Sequence, residues 1–217
     1  MTAPAAAGTP HGQGPARADL QRERILRAAR GCFERHGFHA AAMTDIASAA
    51  EMSPGLIYRY FPGKDAIVQA IIVQEMEQAR CSLDAIVSAE DLTKGIVEAF
   101  ERWSRPDGAG DGEAMSPALF VEMLAVGARD PAVAMAMRAA DAEVRTSLEQ
   151  ALRRTLGVGG CEKQLCGAAV TLQCLLEGLL VRAIREPDLD RRQLRAAIDA
   201  VTETLRRAAG EPGVPGA

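Results

Sequence analysis

Apolar residues recur along most of the chain with the period of an α-helix. In the segment after Asp19, the residues Ile25, Ala29 and Phe33 are spaced four apart, so they form one stripe on a helix. Similar spacing returns in segment after segment, whereas no stretch has the strict alternation of a β-strand. The pattern predicts an all-α protein of about nine helices.

Capping residues mark where several of these helices start. Ser, Asp or Asn before a helix satisfies a free backbone N–H, and proline fits the first helical position because its missing N–H costs nothing there. The predicted starts are Asp19, Ser53-Pro54, Asp91, Ser116-Pro117 and Asp130-Pro131. Gly37 is expected to end the first helix.

The order of helices predicts two domains. Two short helices, joined by a tight turn at Glu51-Met52, follow a longer one, which is the arrangement of a helix-turn-helix. We predict a disordered arm over 1–18, where three prolines lie among alanine and glycine, and a helix-turn-helix domain over 19–64. Residues 65–208 then form a helical body, and 209–217 a flexible tail.

Composition narrows the class of protein. Of the 217 residues, 48% are hydrophobic and 25% are charged, which excludes a wholly disordered chain. The most apolar stretch, 165–184, is interrupted by Gln173, Glu177 and Arg182, so we predict no membrane span and a cytoplasmic protein without a secretory signal. Five cysteines without a C-x-x-C motif favour reduced, buried thiols over a disulfide framework.

Charge is unevenly distributed along the chain. Residues 17–64 carry eight basic and five acidic side chains, whereas the whole chain has a net charge of −4. A basic head on an acidic body is typical of a protein whose head meets nucleic acid. Arg17, Arg22 and Arg24 fit either a flexible arm along DNA or a solvated helix start.

The head contains a dense, ordered motif. Gly37-Phe38, then the run from Asp45 to Phe61 (DIASAAEMSPGLIYRYF) and then Lys64 resemble the DNA-binding head of the tetracycline-repressor (TetR) family of bacterial regulators. The resemblance covers about 45 residues, from Ile25 to Ile67. It implies a dimeric DNA-binding protein with a divergent helical body that holds a small-molecule effector.

The resemblance also implies which residues meet DNA. The predicted contacts are Thr44, Ser53, Pro54, Gly55, Leu56, Tyr58, Arg59, Tyr60 and Lys64. Leu56 suits apolar contact with a thymine methyl, and Arg59 is equally suited to a guanine edge or a phosphate. Tyr58, Tyr60 and Lys64 match positions that touch phosphate in the family.

Two residues depart from the family pattern. Ala42 stands where a Thr or Ser usually caps the second helix, and Thr44 is the nearby hydroxyl. Glu51 stands where the turn usually has glycine, so a residue with a side chain must adopt the backbone conformation of the turn there.

The body offers a candidate effector pocket. By the resemblance, an apolar ligand with a few polar anchors lies among helices five to eight, and the predicted lining is Phe100, Trp103, Phe120, Met123, Met137, Gln173 and Glu177. For any single Met or aromatic residue, ordinary core packing is the favoured interpretation. Glu177 either binds a cationic ligand or pairs across a subunit interface, and the second interpretation is favoured.

By the resemblance, the last two helices are the dimer surface, where two subunits form a four-helix bundle. The residues assigned to it are Leu172, Leu176, Gly178, Leu179, Leu194, Ile198, Val201 and Leu205.

The resemblance implies a ligand-responsive transcriptional repressor rather than an enzyme. It binds a pseudo-palindromic DNA operator as a homodimer and is released by a small, largely apolar effector. The alternatives are a ligand-independent DNA-binding regulator or activator and, remotely, a helical enzyme. No cofactor or metal is predicted, since His36 and His39 lack further ligands and no histidine follows them to complete a di-iron motif.

Overall fold

A computed structural model describes residues 14–88, 91–105, 115–155 and 162–210. These residues form nine helices and no strand, which confirms the all-α prediction. The helices are α1 Gly14–Ala40, α2 Met43–Ala49, α3 Pro54–Ile57, α4 Lys64–Ser88, α5 Leu92–Trp103, α6 Pro117–Gly127, α7 Pro131–Thr155, α8 Glu162–Arg185 and α9 Arg191–Gly210. Residues 1–13 of the predicted arm and 211–217 of the predicted tail lie outside the described residues, as do 89–90, 106–114 and 156–161.

Four predicted helix caps are confirmed. The side-chain oxygens of Ser53, Asp91, Ser116 and Asp130 each accept a hydrogen bond from a backbone N–H in the first turn of α3, α5, α6 and α7, respectively. These helices therefore start where local chemistry satisfies their free N–H groups.

The start of α1 was predicted wrongly. The helix begins at Gly14, five residues before the expected cap Asp19. Pro15 is tolerated in a first turn, and Ala16 to Ala18 are good or acceptable helix formers, so the helix extends into the predicted arm. The predicted break is confirmed, since Gly37 has φ 74° and ψ 166° inside the segment assigned to α1.

The chain divides into two compact units between Ile71 and Ile72, within α4 and C-terminal to the predicted boundary after Lys64. The first unit, called the head below, has a core of side chains that are at most 2% exposed, among them Ile25, Phe33, Ile46, Ile57 and Phe61. Phe33 meets Phe38 edge to face, with ring centroids 5.0 Å apart across the Gly37 break. This packing fixes the kinked end of α1.

The second unit, called the body below, is built around α8. This helix packs against α5, α6, α7 and α9. Its buried side chains, such as Ala169 and Leu172, meet Ile96 and Phe100 of α5 and Leu148 of α7 in one hydrophobic core. Among the cysteines described, only Cys32 is buried, whereas Cys81 and Cys174 are exposed, so the expectation of buried thiols holds for one position only.

By length and hydropathy, α8 could cross a membrane, but 44% of its most apolar window is buried inside the body. Its apolar character is explained by this packing, because a central helix of a bundle meets neighbours on much of its surface.

Candidate DNA-binding surface and effector cavity

The turn between α2 and α3 is closed by backbone hydrogen bonds. The N–H of Met52 donates to Ala47 O at 2.9 Å, and the N–H of Glu51 donates to Ser48 O at 3.0 Å. Glu51 has φ 51°, the one positive φ of a non-glycine residue in the part of the chain described. Its carboxylate pairs with Arg24 of α1 at 2.8 Å, so the turn is also tied to the supporting helix.

Asp45 holds the N-terminus of α2 in place of the missing hydroxyl at Ala42. The N–H of Ala42 donates to Asp45 Oδ2 at 3.1 Å, which is the half of a capping box that needs no Ser or Thr. Thr44 forms no cap and is exposed. Its hydroxyl is therefore available to a ligand outside the head.

Most of the predicted DNA contacts lie on the surface. Thr44, Ser53, Pro54, Gly55, Tyr58 and Arg59 are exposed, whereas Leu56 and Tyr60 are half-buried. Tyr58 exposes 53% of its surface, which is uncommon for an aromatic residue in a small packed head.

Lys64 and two arginines are engaged inside the head. Lys64 Nζ donates to the carbonyl oxygens of His39 at 2.7 Å and Ala41 at 3.1 Å, so its charge stabilises the end of α1. Arg22 donates to Tyr60 O at 2.7 Å and lies 4.3 Å above the Phe61 ring. Arg22 and the paired Arg24 therefore support the helix-turn-helix, which disfavours the arm interpretation.

The body contains a cavity of about 440 Å³ that is open to solvent on one side. Six of the seven predicted pocket residues line it: Trp103, Phe120, Met123, Met137, Gln173 and Glu177. Phe100 does not. It is fully buried beneath the guanidinium of Arg191, which lies 4.9 Å from the ring centroid, so it belongs to the core.

The remaining wall comes from residues that sequence reasoning missed. α4 supplies Val73, Met76, Ala79, Leu83 and Ile86, and α7 supplies Ala140, Asp141 and Val144. An apolar stripe has the same spacing whether it faces core or cavity, so periodicity could not identify these residues. One sequence feature could have indicated the cavity wall on α7: the acidic residue Asp141, which directly follows the apolar Ala140.

The polar part of the wall is acidic. Gln173 Nε2 donates to Glu177 Oε1 at 3.2 Å. Desolvation raises the pKa of Glu177, and the nearby charge of Asp141 raises it further against the opposing effect of the Gln173 hydrogen bond. Desolvation likewise raises the pKa of Asp141, opposed by the positive charge of Arg145.

A buried carboxylate on α4 links this helix to the start of α6. Glu75 of α4 is fully buried, and its Oε2 accepts a hydrogen bond from the N–H of Ser116 at 2.8 Å. The start of α6 is thereby attached to α4. A negative charge at the N-terminus of a helix is favourable, because the free N–H groups of the first turn point toward it.

The residues predicted for the dimer surface differ in how far they are exposed. Leu172, Leu176, Leu179, Leu194 and Ile198 are buried in the core of their own subunit. Val201 and Leu205 are half-buried, and Gly178 is exposed. Exposed residues of α8 follow a different stripe, which we call the α8 face: Gly167, Val170, Cys174, Gly178 and Val181.

Segments of both units are similar to known protein families. Residues 25–71 match the bacterial regulatory proteins of the tetR family, and residues 98–207 match the C-terminal domain of BetI-type transcriptional repressors. The second match alone covers half of the chain.

Individual proteins agree with this assignment. The transcriptional regulator UidR of Escherichia coli K12 is 31% identical over 157 residues, which cover 72% of this chain and 76% of UidR. The structure of Salmonella enterica GusR superposes with a TM-score of 0.64 at 29% identity, over 88% of this chain and 98% of GusR.

A Saccharomonospora viridis protein, solved in complex with choline, has the same fold. It superposes with a TM-score of 0.67 at 19% identity, over 85% of this chain and 96% of that protein. The relatives are transcriptional regulators rather than enzymes, and the chain belongs to the tetR family of helix-turn-helix transcriptional regulators.

Proposed function

We propose that this regulator is a cytoplasmic repressor, which binds its operator as a homodimer and leaves it when a small molecule enters the body cavity. The observation that carries the proposal is the composition of the cavity wall. Eight of its residues, from Val73 to Ile86, belong to α4, the helix that begins at Lys64 in the head. A ligand in the cavity therefore touches the segment that continues into the DNA-binding unit.

The proposed response is a shift between two conformations. A ligand changes their populations only if it binds one of them more tightly. The wall combines α4 with α6, α7 and α8, so a change in their packing alters the fit of a ligand and the course of α4 together. Since Glu75 joins α4 to the start of α6 at Ser116, movement of α6 is expected to be transmitted to α4.

The proposed DNA contact is made by α3 and the turn that follows it. The exposed residues Ser53 to Gly55 enter the major groove first, and Arg59 is the strong donor that follows. Tyr58 and Thr44 are proposed as phosphate contacts. Two heads of a dimer would read half-sites one helical turn or a multiple apart.

The experiment is DNA binding measured by fluorescence anisotropy on duplexes tiled across the upstream region of the gene. The expected result is one preferred duplex, bound with an affinity that falls with salt because phosphate contacts release counterions. Arg59→Ala should weaken binding about tenfold or more without changing the melting temperature. Arg153→Ala, on the exposed end of α7, is the matched control and should bind like the unmodified protein.

Equal, weak binding to every duplex, including fragments selected from the whole genome, would contradict the proposal. Selective binding without release by any compound of a chemically diverse panel would favour the ligand-independent regulator. Activation of a reporter gene placed behind the preferred duplex would identify an activator instead of a repressor.

A further inference from the structure

We propose that the effector is an organic monocation with an apolar body, and that Glu177 and Asp141 bind its charge. This inference rests on the proposed function, since it names the chemical class of the molecule that enters the cavity. It is carried by the charges of the cavity wall, by how they are paired, and by the shape and polarity of the remaining lining.

The described wall has four acidic residues and a single basic one. The acids are Glu77, Asp141, Glu143 and Glu177, and the base is Arg80. The guanidinium of Arg80 already forms hydrogen bonds with Glu77, at 2.5 and 3.0 Å, and with Asp84 at 3.2 Å. Its charge is therefore compensated at the mouth of the site, where these side chains are about half exposed.

Glu177 and Asp141 have no comparable partner. Among the described residues, neither carboxylate forms an ion pair, and Glu177 accepts a hydrogen bond from the neutral amide of Gln173 at 3.2 Å. Each carboxylate loses hydration, and the two repel each other, which raises the pKa of Glu177. Arg145 lowers the pKa of Asp141, but it does not line the cavity, and its buried Nε makes no hydrogen bond within the described chain.

A bound cation would provide the missing counter-charge. Glu177 is half-buried, whereas Asp141 is exposed. Glu177 therefore attracts a positive group more strongly than an exposed carboxylate does, because its surroundings screen the interaction less, and Asp141 adds a second negative charge to the same wall. An anion would meet repulsion from both groups. A neutral polyol would leave the charge of the pair uncompensated.

The rest of the wall suits the apolar part of such a molecule. A volume of about 440 Å³ lies within the usual range of small-molecule sites. Methionines at 76, 115, 123 and 137 provide adaptable apolar contacts. Trp103 and Phe120 add aromatic surfaces, which attract alkylammonium groups by cation–π interaction.

The test compares probes of one shape and different charge on the full-length protein. Benzyltrimethylammonium, phenylmethanesulfonate and neopentylbenzene share a benzyl group and a tetrahedral head that is positive, negative or neutral. Tetraphenylphosphonium and tetraphenylborate form a second, larger pair of opposite charge. Calorimetry should give a dissociation constant for at least one cation that is about tenfold or more below those of its isosteres, as expected for a charge-assisted contact.

Two variants test whether the charges of Glu177 and Asp141 bind the cation. Glu177→Gln and Asp141→Asn keep the shape of the side chains, and each should weaken binding of the preferred cation about tenfold, while binding of the neutral isostere stays the same. Glu162→Gln, on the exposed first turn of α8 and outside the wall, is the matched control and should not change it. Melting curves of all three variants verify that they are folded.

Three results would overturn the inference: equal or stronger binding of the anion or the neutral isostere, no binding of a cation of either size, or unchanged cation affinity in both variants. Operator anisotropy on the same samples separates this inference from the proposed function. Selective operator binding together with one of these results would reject the cation and leave the repressor. Cation-selective binding without any operator binding would reject the repressor and leave the site.

Discussion

The ammonium group of Lys64 donates hydrogen bonds to two carbonyl oxygens at the end of α1. Carbonyl groups at the end of a helix lack partners within it, and a cation next to them is favourable. The same side chain stands where the family pattern has a phosphate contact. In this conformation, Lys64 stabilises the head, and Arg59 is the more available cation for DNA.

Lys64→Ala is expected to destabilise the head by about 1–2 kcal/mol, because two hydrogen bonds from a charged donor are lost. Circular dichroism during thermal unfolding measures this change. Arg59→Ala, which removes an exposed arginine, is the control and should melt like the unmodified protein. A Lys64→Ala variant that melts normally but binds DNA as weakly as Arg59→Ala would show that Lys64 acts on phosphate instead.

Glu51 occupies a backbone conformation that suits glycine better. A left-handed conformation costs an ordinary residue about 1 kcal/mol or more, whereas glycine adopts it freely. The ion pair with Arg24 offsets little of this cost, since its two side chains are 43% and 84% exposed.

Glu51→Gly is therefore expected to stabilise the head by up to about 1 kcal/mol. It should also strengthen DNA binding, because a negative charge leaves the turn beside the recognition helix. Arg24→Ala removes the ion pair alone and measures its contribution separately. Both variants lack the ion pair, so a Glu51→Gly protein that melts below Arg24→Ala would contradict the expected relief of backbone strain.

At the level of elements, α8 has two distinct surfaces. One packs Leu172, Leu176 and Leu179 into the core of the body. The other, the α8 face, is exposed and rich in small residues, and a side chain added at Gly167 or Gly178 would meet no other atom within 4 Å. Helices with small residues on a shared face can approach each other closely, so this face is our proposed dimer surface.

Gly178→Arg is expected to convert the dimer to a monomer without unfolding the subunit. The arginine has open space in the subunit and a higher helix propensity than glycine, but it would place charge and bulk in the middle of the interface. Sedimentation velocity measures the change. Leu124→Arg, on an exposed position of α6, is the matched control. A Gly178→Arg protein that sediments as a dimer would place the interface on another surface.

At the scale of the whole molecule, we expect the half-buried carboxyl group of Glu177 to lower the stability of the unliganded protein. A carboxyl group whose pKa is raised by folding binds its proton more tightly in the folded state. It therefore opposes folding once pH rises above its ordinary value of about 4.5, and most strongly above the raised pKa. Such cost is common at binding sites, where the ligand later compensates it.

Glu177→Gln should accordingly raise the melting temperature of the unliganded protein at pH 7 by about 1–2 °C. The difference should shrink as pH falls toward 4.5, because the carboxyl group of the unmodified protein then becomes neutral. Calorimetric scans of both proteins between pH 5 and pH 7 measure it, with Glu23→Gln, at an exposed position inside α1, as control. A lower melting temperature for Glu177→Gln at pH 7 would show that the charge of Glu177 stabilises the empty cavity.

Local features of the sequence were sufficient to predict most of the helices and the helix-turn-helix of the head. Ser53, Asp91 and Ser116 cap their helices with hydrogen bonds that depend on neighbours three residues away, so sequence alone predicts them. The positive φ at Glu51 agrees with the family resemblance, because the turn usually has glycine at this position. The start of α1 was missed because the capping residue Asp19 lies inside a stretch that also favours helix.

The cavity and the surfaces of α8 were decided by tertiary packing. Periodicity identifies an apolar stripe, but whether the stripe meets another helix, a cavity or a second subunit depends on elements that are distant in the chain. Phe100 and Trp103 belong to the same stripe of α5, yet one lies under Arg191 in the core and the other lines the cavity. Asp141 and Glu177 lie 36 positions apart, and only the packing of α7 on α8 brings their charges to one wall.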